Sequence, residues 1–170
     1  MCGDSNPWLD ATQQRAWRRV AAVIQLLPGA LDAPLQRETQ LSLFSYMVLA
    51  MLSEAPGHTR RMTDLASLTN ASLSRLSHVV RRLEAAGWVS RQPSPDDRRA
   101  TQAVLTPAGW DKVVDAAPVH ARSVRELIID RLSDEQLAQF AEVCQIILDA
   151  LPCDDRLTAL RSPLADRAAP

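Results

Sequence analysis

Hydrogen-bond donors crowd one short stretch of this chain, SLSRLSHVVRRLEAAG (72–87). Leu73, Leu76, Val80 and Leu83 fall on one stripe at 3.6 residues per turn, which sends Ser74, Arg75, His78, Arg81 and Arg82 to the opposite side of a helix. That side carries three arginines and a histidine with no acid among them, so it gains little from intrahelical ion pairs and presents donors only. Phosphate oxygens and the acceptor edges of bases are the natural complement, and Arg75 is the best candidate for a bidentate contact to guanine. The ordinary alternative is a surface helix with a solvated polar face.

A second cluster follows in SPDDRRATQAVLT (94–106), where prolines, aspartates and arginines run into an alternating apolar stretch. Trp88-Val89-Ser90-Arg91 and Thr101-Gln102-Ala103-Val104-Leu105 both alternate as strands do, so the charged segment is the tip of a hairpin. Arg98 and Arg99 then sit at the tip, where arginine suits the narrow, electronegative minor groove, and Asp96 or Asp97 is placed to orient a guanidinium. Residues 60–100 hold eight arginines against four acids, a net of +4, whereas the remainder is −5. A basic middle between acidic ends is expected if only the middle meets a polyanion.

The elements that must position these clusters are mostly helical. Asn6 before Pro7 reads as an N-cap opening a helix through Leu27, which Pro28-Gly29 ends. Leu41, Phe44, Met47, Val48 and Met51 recur at steps of three and four, giving a second helix that stops near Ala55-Pro56-Gly57. MTDLASL (62–68) is a short helix, and Asn70 is the expected N-cap of the donor-lined helix, closed by Gly87. Thr106-Pro107 opens a long helix to about Arg131 with Pro118 inside it, and Ser133 to Gln136 is a capping box. Short helix, turn, donor-lined helix, hairpin is the order of a winged helix-turn-helix.

Composition sets the bounds. A chain of 170 residues that is 46% apolar can bury a core, and its apolar runs are far shorter than a bilayer span, which takes about 20 residues. MCGDSNPWLD lacks the pattern of a signal peptide, so a cytoplasmic location is expected. Arginine outnumbers lysine 18 to 1, which points to a GC-rich bacterial genome. No glycine-rich phosphate loop, nucleophile elbow or H-E-x-x-H motif is present, and the single Lys112 has no evident partner, so no enzymatic activity and no cofactor are expected.

With these residues in view, the chain resembles the MarR family of winged-helix transcriptional regulators. The resemblance rests on RMTDLA (61–66), LSRLSHVVRRLEAAGWVSR (73–91), the DDRRA wing (96–100) and LTPAG (105–109), takes in LSLFSYMVLAMLSEAPG (41–57), and covers roughly residues 8 to 151. It implies a mostly α fold with a small β wing, dimeric through its N- and C-terminal helices, and a homodimer binding a pseudo-palindromic operator in double-stranded DNA. Residues 6–35 and 107–151 become the helical dimerisation region, 36–106 the DNA-binding lobe and 152–170 a C-terminal tail. Recognition contacts map onto Ser72, Ser74, Arg75 and His78, with Arg81 or Arg82 nearer phosphates. The Asp-x-Arg wing maps onto Asp97, Arg98 and Arg99, with Arg99 the residue expected in the minor groove.

Leu137, Phe140, Val143, Cys144, Ile147 and Leu151, together with Val23, Ile24 and Leu27, are more apolar surface on terminal helices than a small winged head covers. Partner helices are the natural cover, with packing inside one subunit as the simpler alternative. The resemblance also suggests a small aromatic effector and release from DNA on its binding, for which Trp17, Tyr46, Met47, Met51 and Trp110 are the candidate pocket, although such residues are more often plain core. Of the three cysteines, Cys144 lies on the apolar stripe, Cys153 follows Pro152 in the tail and Cys2 is near the start, which makes thiol sensing the lesser alternative. His58, His78 and His120 form no metal-ligand set. The rival from another class is a winged helix used as a protein-interaction module without DNA, repressor or activator aside.

Overall fold

The structure, a computed structural model, describes residues 7–95, 97 and 99–151. The chain runs α1 (Ala11–Thr39), α2 (Leu43–Ser53), a 3₁₀ turn (Pro56–His58), β1 (Thr59–Arg61), α3 (Met62–Leu68), α4 (Leu73–Ala85), β2 (Val89–Pro93), β3 (Thr101–Leu105), α5 (Pro107–Leu127), a second 3₁₀ turn (Ile129–Arg131) and α6 (Asp134–Ala150). The sheet is antiparallel in the order β1-β3-β2. This is the mostly helical winged helix-turn-helix expected from the sequence.

Caps explain most of the boundaries. Ser42 Oγ accepts from Ser45 N–H at 3.1 Å, and Asp32 Oδ1, on α1, accepts from Leu43 N–H at 2.6 Å, so a neighbouring helix completes the start of α2. Ser133 and Gln136 form the expected capping box at α6, with bonds of 3.3 and 3.0 Å.

The first helix departs from the sequence reading at both ends. Its N-cap is Asp10, whose Oδ1 accepts from Thr12 and Gln13 N–H at 2.7 and 2.9 Å while Gln13 Oε1 accepts from Asp10 N–H at 2.9 Å. This reciprocal box satisfies donors at both positions and sets the start four residues later than Pro7; Asn6 lies outside the described residues. The helix also continues through Pro28 and Pro34 to Thr39, and Gln40 ends it with φ +62. An internal proline costs about 3 kcal/mol in a helix. Here the carbonyls four residues earlier belong to exposed Ile24 and Ala30. The half of the helix beyond these breakers is the half that packs: Leu35 is fully buried, Thr39 nearly so, and Asp32 caps α2. Tertiary contacts therefore override the local breaker. The division read at residues 35 and 36 lies inside this continuous helix.

The donor-lined helix begins at Ser72 rather than Asn70. Ser72 has the extended backbone of an N-cap and its Oγ accepts from Arg75 N–H at 3.2 Å. Asn70 adopts φ +47 and makes the turn after α3, a conformation asparagine tolerates better than most residues. Leu76, Val79, Val80 and Leu83 are buried beside Leu49, Leu52, Leu65 and Val89. Leu73, expected on that stripe, is 49% exposed because it sits in the first turn, beyond the edge of the core.

At its other end α4 closes on Gly87. Gly87 N–H donates to Glu84 O at 2.9 Å and Trp88 N–H to Leu83 O at 3.0 Å, the paired bonds of a Schellman motif, which needs the left-handed φ of +78 at Gly87. Thr106 then joins this end to the start of α5. Its Oγ1 donates to Gly87 O at 2.7 Å and accepts from Gly109 N–H at 3.0 Å, and its N–H donates to Trp88 O at 3.0 Å. The spacing of G-W-V-x-R and L-T-x-x-G is the covalent trace of this joint. A Cβ at Gly109 would stand 2.0 Å from Trp88 O and 2.9 Å from Trp88 C, both backbone atoms with no freedom to retreat. Gly109→Ala is accordingly expected to destabilise the fold by at least the 1–3 kcal/mol typical of overpacking, about 2 kcal/mol or more here; a denaturation midpoint equal to that of the original chain would count against this joint.

Candidate functional site

Ser72, Ser74, Arg75, His78, Arg81 and Arg82 are all exposed on the side of α4 turned away from the core. The structure thus brings the whole recognition set to one face. Arg75, Arg81 and Arg82 make no ion pair among the described residues, although Arg75 carries its guanidinium carbon 4.4 Å above the ring of Phe44 on α2. Ser72 Oγ and Ser74 Oγ lie 3.1 Å apart. A cleft of about 550 Å³ runs along this face, lined by Asp32, Ser42, Phe44, Ser74, Arg75, His78, Val79 and Arg82.

The hairpin has the expected strands, with Val89 opposite Leu105 and Pro93 opposite Thr101. Sequence reasoning missed β1, whose Thr59-Arg60-Arg61 has no alternation to reveal it and whose strand form comes from pairing with β3. At the wing tip Ser94 N–H donates to Ala100 O at 2.8 Å and Ala100 N–H to Asp97 O at 2.9 Å. Asp97 Oδ1 accepts from the backbone N–H of Arg99 at 2.9 Å, so this carboxylate braces the tip's main chain. Arg99 is exposed beside it. Asp96 and Arg98 lie outside the described residues.

Several charges that the segment count pooled are committed elsewhere. Arg91 donates to Glu84 Oε2 through Nε at 2.9 Å and Nη2 at 2.6 Å, and this contact holds the Glu84 carboxyl below its ordinary pKa. Arg60 Nε donates to Met51 O at 3.1 Å. Lys112, read as partnerless, pairs with Asp115 at 3.1 Å and lies 5.5 Å from the Trp88 ring centre. Within residues 60–100 the described arginines left open are Arg75, Arg81 and Arg82 on α4 and Arg99 at the wing tip.

The residues expected to line an effector pocket are not gathered in the α4 cleft. Trp17 is 56% exposed on the first half of α1, while Met47 and Met51 are half-buried on α2. Trp110 lies against His58 with ring centres 4.9 Å apart and planes tilted by 50°, and Tyr46 is buried 4.8 Å from His120 on α5. Cys144 is a half-buried free thiol on α6; Cys2, Cys153 and the tail from 152 lie outside the described residues. No cluster of metal-ligating side chains occurs among the described residues, and no helix there is long and apolar enough to cross a membrane.

These features define a winged helix-turn-helix protein with a donor-faced second helix. The model of the MarR family matches residues 41–101. Sco3205 of Streptomyces coelicolor, a MarR family transcriptional regulator solved in complex with DNA, is similar at 37% identity and TM-score 0.82, over 88% of this chain and 94% of that one. AbsC of the same organism, also a MarR family transcriptional regulator, is similar at 40% identity and TM-score 0.79, over 85% of this chain and 97% of that one. The transcriptional repressor Rv2887 of Mycobacterium tuberculosis is 30% identical over 127 residues, 75% of this chain and 86% of its own length. The match spans less of other curated regulators, 44% and 66% of two from Bacillus subtilis and 60% of one from Escherichia coli. The chain belongs to the MarR family.

Burial acts on titration at the α2–α5 contact. Desolvation raises the Tyr46 pKa, and the Glu54 charge adds to the rise. Desolvation lowers the pKa of His120, whose buried Nδ1 meets no hydrogen-bond partner among the described residues. A histidine whose folded pKa lies below its ordinary 6.5 binds its proton more weakly folded than unfolded, so protonation favours the unfolded chain. Stability is expected to be level above pH 6.5 and to fall as the pH drops below it, until the folded pKa is passed. His120→Phe, retaining the ring against Tyr46, should flatten that part of the acid limb in denaturation midpoints measured between pH 7.5 and 5; an unchanged limb would assign it to other groups.

Proposed function

We propose that this chain represses transcription by binding a pseudo-palindromic operator as a homodimer, with α4 in the major groove and the β2–β3 wing in the flanking minor groove. The observation that carries the reading is the exposed face of α4, where Arg75, Arg81, Arg82 and His78 offer donors that no acid among the described residues pairs with. A protein-binding wing has no need of such a face. Sco3205, a relative at 37% identity solved in complex with DNA, supports DNA as the partner. Within this reading Arg75 reads a guanine, Ser72, Ser74 and His78 contact bases or adjacent phosphates, Arg81 and Arg82 bind phosphates, and Arg99 enters the minor groove with Arg98 beside it. Asp97 holds the wing tip in shape.

The dimer has a physical basis of its own. α6 is 17 residues long with no buried residue, and α1 has none before Leu35. Ile24 on α1 is 62% exposed and Ile146 on α6 is 63% exposed, with Val23, Leu26, Phe140 and Val143 also uncovered. Burying such side chains is worth about 1.5–3 kcal/mol each, which a second copy supplies. If both helices faced water, Ile24→Glu and Ile146→Glu would be nearly neutral, within about 0.5 kcal/mol. The expected result is a shift from dimer to monomer in sedimentation equilibrium with helical content retained on dilution-matched circular dichroism; persistence of the dimer in both variants would place the interface elsewhere.

Operator recognition is tested by selecting duplexes from a random pool with the purified protein at low and high salt. A palindromic motif with half-sites about one helical turn apart, roughly 34–36 Å, is expected at low salt and should be lost at high salt as counterions are released. Arg75→Ala should relax preference at one position of each half-site, lowering the specific to non-specific ratio by the equivalent of about 1–3 kcal/mol, whereas Arg99→Ala should weaken binding to all duplexes and reduce the salt slope by about one. Equal binding by the original chain and both variants would rule out this assignment.

A further inference from the structure

Arg75 is exposed, and a free arginine in the first turn of a helix carries about 2 kcal/mol of side-chain rotamer entropy that a bidentate contact must freeze. Its backbone and its side chain are each held by one contact. Its backbone N–H donates to the N-cap Ser72 Oγ at 3.2 Å, and its guanidinium carbon lies 4.4 Å above the Phe44 ring. Phe44 is itself half-buried against the core, so the ring is a fixed platform. The carboxylate sharing this cleft is that of Asp32, and its Oδ1 is engaged by Leu43 N–H at 2.6 Å. No ion pair joins Asp32 to Arg75 among the described residues.

This arrangement has a chemical logic. An acid placed under Arg75 would hold the guanidinium by occupying its N–H donors, the groups that a guanine O6 and N7 require. An aromatic face attracts the cation through its quadrupole and takes no donor. We propose that Phe44 is a positioning residue for sequence readout: it holds the Arg75 guanidinium in place while leaving its N–H edge open to a base. The inference rests on the assignment of Arg75 as a base-reading residue above. It adds a residue of α2, outside the helix-turn-helix and the wing, to those that set specificity.

The test uses the full chain with Phe44→Leu, Phe44→Tyr, Arg75→Ala and the double variant Phe44→Leu with Arg75→Ala. The affinity ratio is taken between the selected operator and one altered at the position to which Arg75→Ala becomes indifferent. Phe44→Leu should lower that ratio about two- to five-fold, the equivalent of an exposed cation–π contact, with binding to unrelated duplex and the salt slope unchanged. Phe44→Tyr should keep the ratio, and Phe44→Leu should cost nothing further once Arg75 is alanine. Nitrogen-15 relaxation of the Arg75 Nε–H in the DNA-free protein should show greater mobility in Phe44→Leu than in Phe44→Tyr. An unchanged ratio, an equal loss in the Arg75→Ala background, or a uniform loss on all duplexes would each overturn the proposal. If Arg75→Ala becomes indifferent at no operator position, the base-reading assignment is the part that fails, and unchanged relaxation would then dispose of the platform as well. Phe44→Met replaces Phe44→Leu if the latter lowers the thermal midpoint.

Discussion

Gly87, Trp88, Thr106 and Gly109 meet where two helices and a hairpin converge. The C-terminus of α4, the base of the β2–β3 hairpin and the N-terminus of α5 share one small network of main-chain bonds. Trp88 O accepts from Thr106 N–H, Gly87 O from Thr106 Oγ1, and the approach of Gly109 to Trp88 O leaves no room for a side chain. Each bond is individually modest, worth about 1 kcal/mol net. Their value lies in geometry, because a donor-faced helix and a wing can address one ligand together only if the angle between them is fixed. This joint fixes it with main-chain atoms and one threonine hydroxyl that is itself bonded on both sides.

Where local chemistry decides an element, the sequence announced it. The hairpin strands, read at 88–91 and 101–105 and found at 89–93 and 101–105, the helix 62–68, the Gly87 stop, the Thr106 start and the Ser133 box are set by caps, glycine and alternation within a few residues, and these were legible. What escaped was set by distant partners. Pro28-Gly29 reads as a stop, yet Leu35 and Asp32 have partners on other elements that keep α1 helical past it. β1 has no pattern of its own and exists because β3 offers an edge. Asn70 and Ser72 are both good caps in composition, and only the backbone angles separate them.

The candidate site follows the same rule. Its polar face was legible because helical periodicity alone sorts Arg75, His78, Arg81 and Arg82 from the buried stripe. Which charges stay available was not, since Arg91 lies seven residues from its partner Glu84 and Arg60 nine from the Met51 carbonyl. Counting arginines by segment therefore overstates the free charge and misses its focus. The stacking of Arg75 on Phe44 is the clearest case, because 31 positions separate two residues whose contact no periodicity encodes.

α5 is the element through which these features are joined. Its first turn belongs to the Thr106 joint, its middle places His120 against Tyr46 of α2, and its Arg122 pairs with Glu38 of α1 at 2.5 Å. The Glu38 carboxyl is held below its ordinary pKa by Arg37 and Arg122, but the pair is exposed and contributes orientation more than stability. The buried part of the α5 contact, with Val113, Ala116 and Val119 in the core, resists continuous deformation because close-packed interiors offer few alternative arrangements. The packing of α1 and the backbone joint that orients α4 and the wing therefore meet on one continuous helix. In the proposed dimer the uncovered faces of α1 and α6 would meet a second copy, so the separation of the two α4 helices would follow from helix packing rather than from any residue on the α4 face.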